Sequence, residues 1–214
     1  MRISDQQFVA LKRLQILTGV VPVGLFLFSH FAINGRAIAG RDAYDSGVAA
    51  IARLPWLAGL EVLAIGVPIV AHLALGALLG LTAQGAFERA HPDEPRRWIQ
   101  RVTGFYLAMF VVFHVWSLRL APDRRVDTDL FALVAAQLRH PAAFAWNALA
   151  VVAAALHFSI GCAALFGPSA FALPPRGVRA ARLAGLAGFV VLAGLGLNVL
   201  LAFVWPAARW LAPR

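Results

Sequence analysis

The chain has 214 residues, 61% hydrophobic and only 14% charged, with a mean hydropathy of +0.76; a soluble domain carries about a quarter charged residues, so lipid rather than water is the expected solvent. The net charge is +9, but the arginines stand between apolar runs, where they anchor helix ends in anionic headgroups, and without a zinc-finger, RRM or basic-helix pattern no nucleic-acid partner is expected. Cys162 is the only cysteine, which excludes an intrachain disulfide, a cysteine-ligated iron–sulfur cluster and a cysteine-type zinc site.

Five apolar stretches are each long enough to cross a bilayer as a helix, which takes about 20 residues. Span I covers 14–33. Arg2, Lys12 and Arg13 precede it and Ala37-Ile38-Ala39 follows it, as in a signal peptide. Its apolar run exceeds the ~7–15 residues of a signal core, so it reads as a retained helix. The connection 34–55 carries Tyr44, Val48, Ile51 and Leu54 at helical spacing, a pattern for a short amphipathic helix on the membrane surface. Span II covers 56–81, and Pro68 predicts a kink one turn before His72. The polar connection through His91-Pro92-Asp93-Glu94-Pro95 leads to span III, 98–118. Span IV covers 142–166; a second turn-rich link, Pro174-Pro175-Arg176-Gly177, precedes span V, 184–205. Trp56, Trp98 and Trp205 stand at ends of these runs, as interfacial aromatics do. The expected fold is an all-α membrane protein, one transmembrane domain over 1–214, with spans I–IV in a four-helix bundle and span V peripheral. Basic residues divide evenly between the two faces, so the charge bias selects no orientation.

Gln15-Ile16-Leu17-Thr18-Gly19 in span I and Gln100-Arg101-Val102-Thr103-Gly104 in span III repeat one another. His72 and His157, in spans II and IV, are each followed at i+4 by a glycine, Gly76 and Gly161. Spans I–II and III–IV therefore read as two related hairpins. Of the histidines, His91 and His140 each precede a proline in a connection and are assigned no function. His30, His72, His114 and His157 lie one to a span in spans I–IV. An ionisable residue at that depth is costly and marks a functional site by default. All four lie at nearly the same depth along their spans, and neighbouring spans run antiparallel. At ~1.5 Å per residue they sort into two pairs at two levels, His30 with His114 and His72 with His157.

Two imidazoles from facing helices are the axial set of a low-spin haem b. The expected cofactors are thus two haems b, with all four histidines as iron ligands. Gly19 and Gly104 would open space for the porphyrin of the His72/His157 pair, and Gly76 and Gly161 would remove bulk beside it. The alternatives are proton or ion transport and plain packing. A bare zinc site gathers its ligands in one ~2 Å shell, which two levels forbid.

At Ser29-His30-Phe31, at Pro68 to Gly76, at Trp98 to Gly104 leading to His114-Val115-Trp116, and at His157-Phe158-Ser159-Ile160-Gly161, the chain resembles a known family. It is that of the single-subunit, five-helix, dihaem cytochrome b membrane anchors of succinate dehydrogenase and fumarate reductase (complex II). The likeness runs from about residue 12 to 205. It implies a proximal haem on His72 and His157, facing a cytoplasmic iron–sulfur subunit, and a distal haem on His30 and His114, near a menaquinone site. It also implies a bacterial inner-membrane location with a cytoplasmic N-terminus, and flavoprotein and iron–sulfur partner subunits that carry the dicarboxylate chemistry. By the same analogy Gln15 and Trp98 are candidates to hold proximal-haem propionates. Some fumarate-reducing members carry a glutamate two positions before the span-IV histidine; Ala155 stands there in this chain, which leans toward succinate oxidation.

Glu61 is the only acid inside an apolar span. It precedes His72 by 11 residues, which returns it to within about 20° of the same helix face, so it is expected to face the bundle interior near the outer interface, at the level of the distal haem. It is the candidate proton carrier for quinone chemistry, the alternative being an interfacial pairing with Arg53 or another loop arginine. Asn34, one turn past His30, and Trp146, 11 residues before His157, are expected in the quinone region. Two rivals remain: the cytochrome b of a formate dehydrogenase or hydrogenase, and a haem-free membrane transporter. A bc-type cytochrome sets two histidines on one helix, and no span here has two.

Overall fold

The computed structural model describes residues 4–82, 95–121, 129–167, 171 and 173–205; His91 and the rest of the 83–94 connection lie outside them. All regular structure among the described residues is helical. Five helices are long and apolar enough to cross a membrane: Asp5–Ala39, Leu57–Leu81, Pro95–Leu120, Pro141–Leu165 and Pro175–Val204. These are spans I–V.

The helices outrun the apolar stretches because their ends are capped. Span I opens with α1 (Asp5–Val20), where the Gln7 N–H donates to Ser4 Oγ (3.2 Å) and the Ser4 N–H donates to Gln7 Oε1 (2.9 Å). This reciprocal box satisfies first-turn donors that would otherwise fray. Span V, here α9 (Pro175–Val204), starts well before the expected 184. Proline at the first helical position loses no helical hydrogen bond, so Pro175, Arg176 and Gly177 belong to the helix and not to a turn.

Prolines shape spans I and II. Pro22 has no N–H to offer Thr18, and α1 ends one residue before α2 (Pro22–Gly35), which continues as a 3₁₀ turn, Arg36–Ala39. In span II, α4 (Leu57–Leu60) widens into a π-helical stretch, Glu61–Gly66, before α5 (Val67–Thr82). The ring of Pro68 would crowd the Ala64 carbonyl in a tight helix. The wider turn, with the Val67 N–H bonded back to the Val62 carbonyl, relieves that crowding. Span III is α6 (Pro95–Val115) followed by a second π-helical stretch, Trp116–Leu120.

The amphipathic helix expected in the first connection is α3 (Arg41–Ala52). It starts from Gly40, whose φ of 114° is a conformation suited to glycine alone. A further helix, α7 (Leu130–Leu138), was not expected from the sequence; Asp129 caps it by accepting the Ala132 N–H at 2.9 Å. Span IV is α8 (Pro141–Leu165).

Contacts group the chain into two compact units. The first comprises Met1–Leu27, Ala58–Val102 and His157–Gly188; the second comprises Phe28–Leu57, Thr103–Leu156 and Phe189–Arg214. In the first, a Cβ on Gly185 of α9 would lie 2.9 Å from the Ser159 carbonyl oxygen, so glycine lets the two backbones touch. In the second, α3, α7 and the end of α9 share a core in which Tyr44 meets Phe131 and Phe203 edge-on, at 5.7 and 5.2 Å between ring centres. Span V, expected at the periphery, contributes no histidine, and Leu192, Asn198, Val199 and Phe203 of its C-terminal half are buried in this unit. Large apolar side chains such as Leu63, Phe105, Val112 and Val190 are exposed, as a lipid-facing surface requires.

Candidate functional site

In the first unit α5 and α8 bring His72 and His157 together, with ring centres 6.1 Å apart and planes at 84°. The Gln15 carbonyl oxygen lies 2.8 Å from His72 Nδ1. A carbonyl can only accept, so Nδ1 carries the proton and Nε2 keeps its lone pair for a metal. Gly19 makes this contact possible, since a Cβ there would lie 2.7 Å from His72 Nδ1 and closer still to Cε1. The Gln15 side chain accepts from Lys12 Nζ at 2.9 Å.

The second hairpin brings the corresponding glutamine and histidine together through different atoms. Gln100 Nε2 donates to the His157 carbonyl at 3.1 Å. Gln15 and His72, and Gln100 and His157, are each 57 positions apart. The glycines one turn past each histidine face the same glutamines. A Cβ on Gly76 would lie 3.0 Å from Gln15 Nε2, and one on Gly161 3.9 Å from Gln100 Nε2. One turn before Gln100, Arg97 has a guanidinium nitrogen, Nη2, that is buried with no hydrogen-bond partner among the described residues. Trp98, beside it, is 68% exposed. Of the two expected propionate contacts, only Gln15 therefore touches the histidine pair.

In the second unit His30 and His114 stand with ring centres 5.8 Å apart and planes at 81°. Phe110 stacks on His114 at 5.2 Å and 24°. Trp146 packs against Phe110 (6.1 Å) and Tyr106 (4.8 Å), and the Tyr106 hydroxyl donates to the Trp146 carbonyl at 2.7 Å. The Trp146 indole N–H is buried without a hydrogen-bond partner among the described residues. Asn34 Nδ2 donates back along its own helix to the His30 carbonyl (2.8 Å). Asn34 and Trp146 thus fall in the unit of the His30/His114 pair, whereas Glu61, half-buried at the start of the π-helical stretch, falls in the unit of His72 and His157. Ala155 is fully buried.

Metal–imidazole bonds of about 2.0–2.1 Å, with a ring centre roughly 1.1 Å behind its nitrogen, put two trans-axial imidazoles about 6.3 Å apart. Both pairs stand within about half an ångström of that. Among the described residues no three histidine, cysteine or acidic side chains gather to hold a bare ion. Two imidazoles are what a macrocycle that brings four in-plane nitrogens still needs, so each pair fits a haem. The sequence missed Lys12 and Gln100 around the first pair, the buried Arg97 nitrogen one turn before Gln100, and Tyr106 and Phe110 around the second. The only signal was positional, in the place of the cations relative to the repeated glutamines.

Outside the spans, Arg41 pairs with Asp45 (3.4 Å) and with Asp129, and lies over the Phe131 ring. The Ala132 N–H, ahead of the Arg41 guanidinium, holds the Asp129 carboxyl below its ordinary value. Burial, with Asp45 adding to it, pushes the Tyr44 phenol up to about 12.

The chain is 32% identical over 196 residues to the succinate dehydrogenase cytochrome b558 subunit of Bacillus subtilis (strain 168), an alignment that covers 90% of this chain and 96% of that protein. No protein-family model matches the chain, and no solved structure matches it.

Proposed function

From the premise that this chain belongs to the family of succinate dehydrogenase cytochrome b subunits, the membrane anchors of complex II, we propose that it carries two haems b and passes electrons between an iron–sulfur subunit and membrane menaquinone. His72 and His157 hold the proximal haem, toward the iron–sulfur and flavoprotein partners, and His30 and His114 hold the distal haem. The protein works as one transmembrane cytochrome b domain in a bacterial inner membrane, with its N-terminus cytoplasmic. Ala155, where a buried glutamate would serve a proton path, favours succinate oxidation as the direction.

The observation that carries this reading is the two imidazole pairs at haem-ligand separation, 6.1 and 5.8 Å. When bound, a haem with both axial positions filled supplies one-electron exchange without an open position for oxygen. The chain's own residues do the rest. The Gln15 carbonyl fixes the His72 tautomer and orients its ring, and the Gln15 side chain would help hold a propionate. Phe110 and Trp146 wall the His114 side with aromatic surface. A quinone accepting two electrons must also take two protons, and Glu61 is the carboxyl to relay them. A quinone near the His30/His114 pair would find candidate hydrogen-bond donors within that unit in the Trp146 indole N–H and Asn34.

The test is a dithionite-reduced minus oxidised spectrum with a pyridine haemochrome count on the complex co-expressed with its partner subunits. Two haems b per chain are expected. His72→Ala and His157→Ala should each remove the same haem, and His30→Ala and His114→Ala the other. A folded, detergent-stable complex with no haem would overturn the reading and favour a transporter.

A further inference from the structure

The repeat that relates the two hairpins extends one helical turn further toward the N-terminus than its glutamines. Lys12 stands three residues before Gln15, and Arg97 stands three residues before Gln100. Lys12 is the only lysine in the chain. We propose that these two cations are paired seats for the two propionate carboxylates of a haem held between His72 and His157. The inference rests on the dihaem reading above.

Lys12 is tied to the histidine pair through its glutamine, and Arg97 stands at the corresponding position before the second glutamine. Lys12 Nζ donates to the Gln15 side chain, whose main-chain carbonyl holds His72 Nδ1. On the other hairpin, the Gln100 amide donates to the His157 carbonyl, with Arg97 one turn before it on the same helix face. Three residues of helix rise set each cation about 4.5 Å from its glutamine, toward the N-terminal end of its span. Spans I and III enter the membrane from the same side, so both cations lie at one end of the site. A b-type porphyrin carries both propionates on one edge, and an edge with two negative charges meets an end with two positive ones.

The buried Nη2 of Arg97 is the independent sign of a missing acceptor. A desolvated guanidinium N–H with no acceptor is among the costlier arrangements a fold can hold. A carboxylate satisfies it with a charge-assisted bond, and the planar fork of arginine matches its two oxygens. Trp98, the next residue, has an exposed indole and offers no comparable donor to the interior. A lipid phosphate shares the anionic chemistry of a propionate, and the experiment separates the two sources.

The experiment is a potentiometric titration of both haems in the intact complex, wild type against Arg97→Gln, Lys12→Gln and Arg97→Lys. A nearby positive charge favours the reduced iron, which carries one positive charge fewer. Removing it should weaken the electron affinity of one haem about tenfold, or ~59 mV for one electron. The haem affected is the one lost in His72→Ala; the other keeps its potential. Arg97→Lys retains the charge and stays near wild type. Loss of that haem alone in Arg97→Gln, with retention in Arg97→Lys, supports the proposal equally. Unchanged potentials in both Arg97→Gln and Lys12→Gln, as for a lipid phosphate on Arg97, would overturn it. So would a shift confined to the haem lost in His30→Ala, or loss of haem in both Arg97 variants beside an unchanged Lys12→Gln. Wild-type complex without haem is a separate result, and refutes the dihaem reading itself.

Discussion

Gly19→Ala isolates the packing on which the position of the His72 ring, the proposed ligand, depends. The added Cβ would lie 2.7 Å from His72 Nδ1, where ordinary contact is 3.4–4 Å, so the ring must retreat by about 0.7 Å or more. The ring is not free to do so, because Nδ1 is bonded to the Gln15 carbonyl at 2.8 Å. A retreat of that size stretches the bond to about 3.5 Å, the limit of a useful hydrogen bond, and forfeits about 0.5–1.5 kcal/mol. Overpacking between the helices adds about 1–3 kcal/mol. A total of about 1.5–4.5 kcal/mol corresponds to a roughly 10- to 2000-fold weaker hold on one haem. The assay is the rate of haem transfer from the purified complex to an apoprotein acceptor, followed at the two haem bands, with the pyridine haemochrome count as end point. Only the haem that His72→Ala removes should be released faster. Gly80→Ala and Gly194→Ala serve as controls, since a Cβ at either position meets nothing within 4 Å. Ala also favours a helix over Gly by about 1 kcal/mol, so neither control should loosen a haem. Gly19→Ala with two haems and a wild-type release rate for both would refute the reasoning.

Two further outcomes are expected. In Glu61→Gln, succinate oxidation with an artificial dye that draws electrons upstream of this subunit should be unchanged, while quinone reduction falls by about 100-fold or more; equal quinone rates in the two proteins would remove Glu61 from proton relay. For Asp129, the sign follows from its depressed carboxyl. The cap on α7 and the pair with Arg41 contribute fully above the ordinary aspartate value of about 3.9 and are lost as pH falls through the lower folded value. Melting of wild type against Asp129→Asn should show a gap that is constant at neutral pH and closes in acid; a gap that widens in acid would contradict this assignment.

Hydropathy by itself determined the five spans, because a bilayer leaves a helix of about 20 apolar residues as the available single-chain solution. The depths of His30, His72, His114 and His157 sorted them into the two pairs that stand together in the structure, since antiparallel spans convert equal depth along the chain into opposite levels. The likeness to succinate dehydrogenase cytochromes was legible for the same reason: its motifs are short stretches around those histidines. The helix ends were not legible, because capping at Ser4 and Pro175 carries helix beyond the apolar run. Nor was α7, whose nine residues fall below the length of a span although Asp129 marks its start.

Only the tertiary structure decided which polar groups attend each histidine. Gln15 holds His72 through its main-chain carbonyl, an atom every residue possesses, so no residue type could have announced that bond. Trp98 and Arg97 are adjacent in sequence, yet one is exposed and the other turns a nitrogen into the interior. About 100° of helix rotation per residue separates such neighbours, and which face turns inward is set by the packing of the partner helices.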